Sequence, residues 1–189
     1  MTFKTDTLRS LINDQRGIAS QNRFSVILPS LSRTPKPGGG NATDPIPPRE
    51  MNLLCTAARI PGKNFSLLDR QIGMEPIKVV NGYSSSDVSL TFYLTNDYSA
   101  RKYFQEWSEC IVSPSPPYSA GFHADYAKSV TVIQLDKGNL NVPDGEKVYE
   151  VELVKAYPTT ITEVELNNQA QGAALELTVS FVFSNYLIK

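Results

Sequence analysis

Histidine is almost missing from this sequence of 189 residues, with His123 the only one, and cysteine is scarce, with Cys55 and Cys110 alone. With a single imidazole, a metal site would have to be built mainly from carboxylates or cysteines. His123 falls in a Gly- and Pro-flanked stretch that reads as loop, where a lone imidazole is usually solvated. No GxSxG elbow or other nucleophile context accompanies it. The two cysteines are too few for a disulfide framework and too distant in sequence for a CxxC pair, so both are expected to be buried free thiols. No catalytic residue, cofactor or metal ligand is assigned, and an enzyme is the weakest reading.

An excess of charge is missing as well. Eighteen Lys and Arg stand against nineteen Asp and Glu, a formal net charge of -1, which gives no bulk attraction to phosphate polyanions. Long apolar runs are also lacking: no window approaches the ~18 to 20 apolar residues needed to span a bilayer. Met1 to Gln21 is polar and charged, without the apolar region of a secretory signal. The expectation is a protein made and kept in a cytosol, with no membrane anchor.

Aromatic residues and turn formers are plentiful: nine Tyr, eight Phe, thirteen Pro and eleven Gly. One domain over 1–189 is expected from the length. Leu8, Leu11 and Ile12 form a short apolar stripe, which reads as an N-terminal arm or short helix within 1–21. Phe24 to Leu28 is strand-like and stops at Pro29. Residues 31–50 carry five prolines and the triplet Gly38-Gly39-Gly40, a composition that forbids a continuous helix or central strand and reads as a surface loop insertion. The glycines lack the following Lys-Ser/Thr and helix of a phosphate loop.

Beyond the insertion, Met51 to Ala57 reads as a second strand and Ile60-Pro61-Gly62 as its turn. Val88, Leu90, Phe92 and Leu94 alternate with polar residues, the clearest strand in the chain. Asn96 or Asp97 then caps a helix, about Asp97–Val112, with Ala100, Tyr103, Phe104, Trp107 and Ile111 on one stripe. Such a stripe is expected to dock on a sheet, placing Trp107 in the core. Lys128 to Leu135, Val148 to Lys155 and Leu175 to Phe183 resume strand character, with Asp144-Gly145 suited to a hairpin and Tyr157-Pro158 closing the middle strand. Strands with one docked helix imply an antiparallel β-sandwich or partly closed barrel.

Two further groupings resemble sites and have simpler explanations. Asp136 to Asp144 offers oxygen ligands without the spacing of a calcium loop, and an Asx- and Gly-rich hairpin explains it. Glu150 and Glu152 flank Val151 on the outward side of an amphipathic strand, as solvated residues do. Phe65, Leu67, Leu68, Ile72 and Met74 are different, because they lie in a stretch broken by Gly73 and Pro76 with no clean period. Apolar residues in such a segment need a cover, and a neighbouring subunit is the first candidate.

The order of features resembles the tail tube protein family of contractile-tailed bacteriophages, from about Asn22 to Phe183. The resemblance is carried by Asn22 to Val26, Cys55 to Gly62, Ile77 to Gly82 and Val88 to Leu94 running into Asn96-Asp97. Farther on it is carried by Arg101 to Trp107, Asp125 to Lys128, Ala156 to Thr159 and the closing strand Leu175 to Phe183. It implies a tube-type sandwich with a flanking helix and a structural role without catalysis. It further implies homo-hexameric rings that stack in a virion tail assembled in the host cytoplasm, sheath and tape-measure partners, and a channel passing DNA without sequence-specific binding. In the resembling family, the region matching Phe65 to Met74 reaches towards neighbouring subunits.

The 31–50 insertion is longer than a compact turn and is similar to insertions in the related baseplate tube initiators, which keep the repeated tube subunit and the initiator both open. A type VI secretion tube protein is a more distant possibility. From another class, a monomeric β-sandwich binding module fits the strand pattern but would expose an aromatic platform.

Overall fold

The computed structural model describes residues 5, 9–10, 12, 18–71, 75–114, 118–136, 146–167, 172 and 174–189. The N-terminal stripe falls largely outside them, as do most of the Asp136–Asp144 loop and the Asp144-Gly145 turn.

The elements run β1 (Phe24–Ile27), α1 (Pro48–Leu53), β2 (Cys55–Ala58), β3 (Lys63–Gln71), β4 (Pro76–Ser85), β5 (Val88–Tyr93) and α2 (Ser99–Ile111). After these come α3 (His123–Tyr126), β6 (Lys128–Leu135), β7 (Lys147–Ile161), β8 (Glu176–Val182) and β9 (Asn185–Ile188). Pairing is antiparallel along β1-β6-β7-β8-β5-β2, with β9 added to β7. The path does not close into a barrel; β1 and β2 are its two ends.

β7 belongs to both halves of this sandwich. Lys147 to Ala156 pairs with β6, whereas Tyr157 to Ile161 pairs with β8. The change occurs at a bulge, where β7 advances from Leu153 to Ala156 while β6 moves only from Val130 to Lys128. Lys155 at this point has φ +54°. An extra residue bends and twists a strand, and the bend here carries β7 from one half of the sandwich to the other. The expectation that Tyr157-Pro158 ends this strand is therefore corrected. Pro158 stays in β7 opposite Phe181, beside a second register shift where its missing N–H is tolerated.

The core lies between the two halves and under α2. Val26, Val132, Val151 and Leu153 come from one half and Val88, Leu90, Phe92, Leu177, Val179 and Phe181 from the other, all buried. α2 contributes Tyr103, Phe104 and Trp107, as the stripe predicts. Phe104 meets Phe92 at 5.1 Å and Phe181 at 6.0 Å between ring centroids, and Trp107 meets Phe181 at 5.8 Å. Tilted and edge-to-face rings at such separations are favourable. The polar ends are satisfied: Trp107 Nε1–H donates to the Tyr126 carbonyl at 2.9 Å, and the Tyr103 hydroxyl donates to that of Pro29 at 2.6 Å. The residue capping α2 is Tyr98, in the left-handed region at φ +56°. Asp97 still accepts the Ser99 N–H, and the Thr95 hydroxyl that bonds it holds its carboxyl below the usual range.

Two segments depart from the sequence reading. Met51 to Leu53 is helical, in α1, and the strand begins only at Cys55. Pro48 sits at the start of that helix, where its fixed φ and missing N–H cost nothing. Residues 31–47 do form a loop, but it is held against the body: Leu31, Thr34, Ala42 and Ile46 are buried. Lys36 Nζ sits 2.8 Å from carboxylate oxygens of both Glu106 and Glu109 on α2, and Asp44 accepts from the Ser30 hydroxyl and the Leu31 N–H.

Candidate assembly interface

Among the described residues β3 and β4 pair only with each other, forming a two-stranded arm whose register runs from Lys63 opposite Ser85 to Gln71 opposite Pro76. The Phe65–Met74 segment, read from sequence as irregular, is therefore a regular strand as far as Gln71. Every β3 residue is exposed, including Phe65 at 59%, Leu67 at 57% and Leu68 at 54%. Ile72 and Met74 lie outside the described residues.

Cross-strand partners share a face of a ribbon, and successive residues alternate between faces. Phe65 opposite Tyr83 and Leu67 opposite Val80 thus share one face, while Leu68 opposite Val79 and Arg70 opposite Ile77 share the other. All the apolar members of these pairs are exposed. Sequence reasoning singled out the apolar side chains of β3 and not Ile77, Val79, Val80 and Tyr83, which the hairpin register sets beside them. The available signal was a run of β formers flanking Asn81-Gly82, which could equally have been buried. A lone hairpin is marginal in water, so an arm with apolar residues on both sides gains stability when other surfaces cover it.

The arm is joined to the body by a small polar hinge and one cation. The Gly62 N–H donates to the Ser86 hydroxyl at 2.9 Å, and the Ser86 N–H to the Gly62 carbonyl at 3.2 Å. Lys63 Nζ lies over the Tyr83 ring at 4.3 Å and 5.9 Å from the ring centroid of Tyr186 on β9.

Where the sandwich stays open, a cleft of about 420 Å³ runs between its two ends, lined by Phe24, Thr56, Ala58, Ile60, Ile133 and Gln134 among others. Among the described residues β1 and β2 each pair on one side only, as edge strands do.

The remaining sequence candidates are dispersed. His123 opens the short helix α3 rather than lying in loop, exposed, with its ring 5.4 Å from Tyr126 and 5.8 Å from Tyr157. Glu150 and Glu152 face solvent-side lysines, Glu150 with Lys147 at 3.2 Å and Glu152 with Lys189 at 2.6 Å. Cys110 is buried and Cys55 half-buried, both free; burial pushes the Cys55 thiol up to about 12 and raises that of Cys110. Among the described residues no three His, Cys, Asp or Glu side chains gather closely enough to hold a metal ion, and no helix is long and apolar enough to cross a membrane. The conspicuous feature is thus a surface suited to holding other protein.

The sequence matches the family model described as phage tail tube protein over residues 19–189. Among curated proteins no sequence matches the chain. Its fold is similar to that of a chain in an extracellular contractile injection system, the PVC sheath-tube complex in its extended state. The TM-score is 0.59 at 10% identity, covering 100% of this chain and 99% of that one. It is also similar to a chain of the tube-terminating cap of the anti-feeding prophage, with TM-score 0.60 and 14% identity over 91% of each chain. A chain of the anti-feeding prophage baseplate gives TM-score 0.56 and 12% identity, covering 91% of this chain and 95% of that one. At these identities the likeness is one of fold.

Proposed function

We propose a structural role for this chain, which belongs to the phage tail tube protein family: its copies join into six-membered rings that stack as the inner tube of a contractile tail. The observation that carries this reading is the β3–β4 arm, exposed and apolar on both faces. Phe65, Leu67 and Leu68, with Ile77, Val79, Val80 and Tyr83, form the contact surface, and Ile72 and Met74 are proposed to extend it. Because both faces need a cover, each arm is placed between two other surfaces, one in its own ring and one in the next. Ring and stack contacts are heterologous, so each copy offers an arm and a receiving surface.

The channel of such a tube passes DNA without reading its sequence, and a near-neutral chain suits that task because it carries no excess of positive charge to hold phosphates. Sheath and tape-measure proteins are the proposed partners outside and inside the tube, in a virion tail assembled in the host cytoplasm.

A second reading, a baseplate-proximal tube initiator, is favoured by one observation: the 31–47 loop is an ordered layer fixed to α2 through Lys36, Glu106 and Glu109. A layer of this kind would give one side of the ring a distinct surface. Negative-stain electron microscopy of the purified protein separates the two. Long tubes of uniform width identify the repeated subunit, and single rings or short stacks identify the initiator.

A further inference from the structure

We propose that Asn81-Gly82, on the exposed arm, is a site of spontaneous self-modification that converts Asn81 to aspartate or isoaspartate in subunits not yet built into an assembly. The second half of this statement, protection by assembly, rests on the proposed role of the arm.

The chemistry needs an asparagine side chain within reach of the next backbone nitrogen, and a following residue that does not obstruct it. Glycine obstructs it least, having no side chain. Asn81 is exposed. It is also the extra residue of a bulge: Ser66 pairs with Gly82 and Leu67 with Val80, so Asn81 has no partner in the ladder. A bulged residue leaves the regular extended conformation, and the ladder around it is disrupted. In a regular strand, by contrast, the ladder holds the amides on either side.

In the reaction the Gly82 nitrogen attacks the Asn81 side-chain carbonyl carbon. A new C–N bond forms, the C–NH2 bond breaks, and the proton from the Gly82 nitrogen leaves with ammonia. Water then adds across the cyclic imide, opening it to an α- or β-linked carboxylate. No catalyst or oxidant takes part. The product bears a negative charge between Val80 and Tyr83, among the apolar residues of the arm. A charge placed in an apolar contact must be desolvated, so a converted subunit is excluded from assembly. The site thus marks subunits by how long they have stayed free.

Gly82 allows a clean control. A Cβ added there meets nothing within 4 Å, and its backbone lies outside the left-handed region. Gly82→Ala therefore leaves the arm intact while crowding the attacking nitrogen.

The experiment incubates the full-length protein at mildly alkaline pH in heavy-oxygen water and maps peptides by mass spectrometry, with free and assembled fractions separated afterwards. Leu68→Asp supplies free subunits if the wild type is wholly assembled. The expected result is conversion at Asn81 ahead of Asn52 and Asn185, with heavy-oxygen uptake, and its loss in Gly82→Ala. No conversion at Asn81 in the free chain, or equal conversion in Gly82→Ala, overturns the modification site whatever covers the arm. Equal conversion in free and assembled fractions leaves the chemistry standing and overturns the covering of the arm. Asn81→Asp completes the test: loss of assembly by a folded variant is expected, and normal assembly overturns the exclusion of converted subunits.

Discussion

Lys63 and Tyr186 meet across the junction between the arm and the sandwich. The Lys63 ammonium lies 5.9 Å from the Tyr186 ring centroid while resting on Tyr83 at 4.3 Å. One side chain at the base of β3 thus spans from its own hairpin to β9. An ammonium over exposed aromatic rings is stabilised by about 0.5–1 kcal/mol, enough to bias the arm's direction without fixing it. Lys63→Met is expected to speed amide hydrogen exchange in β3 and β4 while leaving that of β5 and β8 unchanged. Equal exchange in the arm of both proteins would show that Lys63 does not restrain it.

Trp107 provides the contrasting case of a core anchor. It is fully buried, stacks near Phe181 and donates to the Tyr126 carbonyl. Trp107→Ala is expected to lower unfolding free energy by about 3–5 kcal/mol, measured by urea denaturation. A loss below about 1 kcal/mol would contradict its place at the centre of the core.

The loop clamp has a defined pH response. Burial pulls the Lys36 pKa down, but hydrogen bonds and charge attraction from Glu106 and Glu109 outweigh it and hold the group above its ordinary 10.5. A raised folded pKa stabilises the fold fully below the unfolded value and loses that effect as pH rises through the folded one. The difference in unfolding midpoint between wild type and Lys36→Met should therefore stay constant from neutral pH up to about 10.5 and shrink beyond it. A difference that grows at higher pH would contradict the clamp.

Neither thiol should act as a nucleophile in the folded chain. The thiolate is the reactive form, and burial raises both thiols, that of Cys55 to about 12. Iodoacetamide at neutral pH is expected to label Cys55 and Cys110 only after denaturation. Rapid labelling of native Cys55 would show that its surroundings open readily.

Much of the sandwich was legible because one-sided burial imposes a period. Val88, Leu90 and Phe92 alternate because only one side of β5 meets the core, and Tyr103, Phe104 and Trp107 recur at helical spacing for the same reason. The arm obeys no such rule. With both sides exposed and apolar, no alternation is selected, and Phe65 to Gln71 read as irregular although it is a strand. Pro158 misled because a bulge beside it removes the usual objection to proline. β9 is only Asn185 to Ile188, too short to show a period, and exists because β7 offers it a free edge. The 31–47 loop was legible as loop, but the burial of Leu31, Thr34, Ala42 and Ile46 depends on α2, distant in sequence. Of the exposed apolar side chains on the arm, those of β3 were singled out in the sequence and those of β4 were not, since only the cross-strand register joins them.

The most direct measurement is mass photometry of wild type and Leu68→Asp over the same concentration series, with circular dichroism confirming that both are folded. Leu68 is exposed on the arm, so the substitution leaves the monomer intact, while a charge in a covered contact must be desolvated. The expected result is ring-sized species for the wild type and monomers for the folded variant at matched concentrations. A wild type that stays monomeric throughout would contradict assembly through this chain, and a folded Leu68→Asp that forms the same species would contradict the arm as the contact.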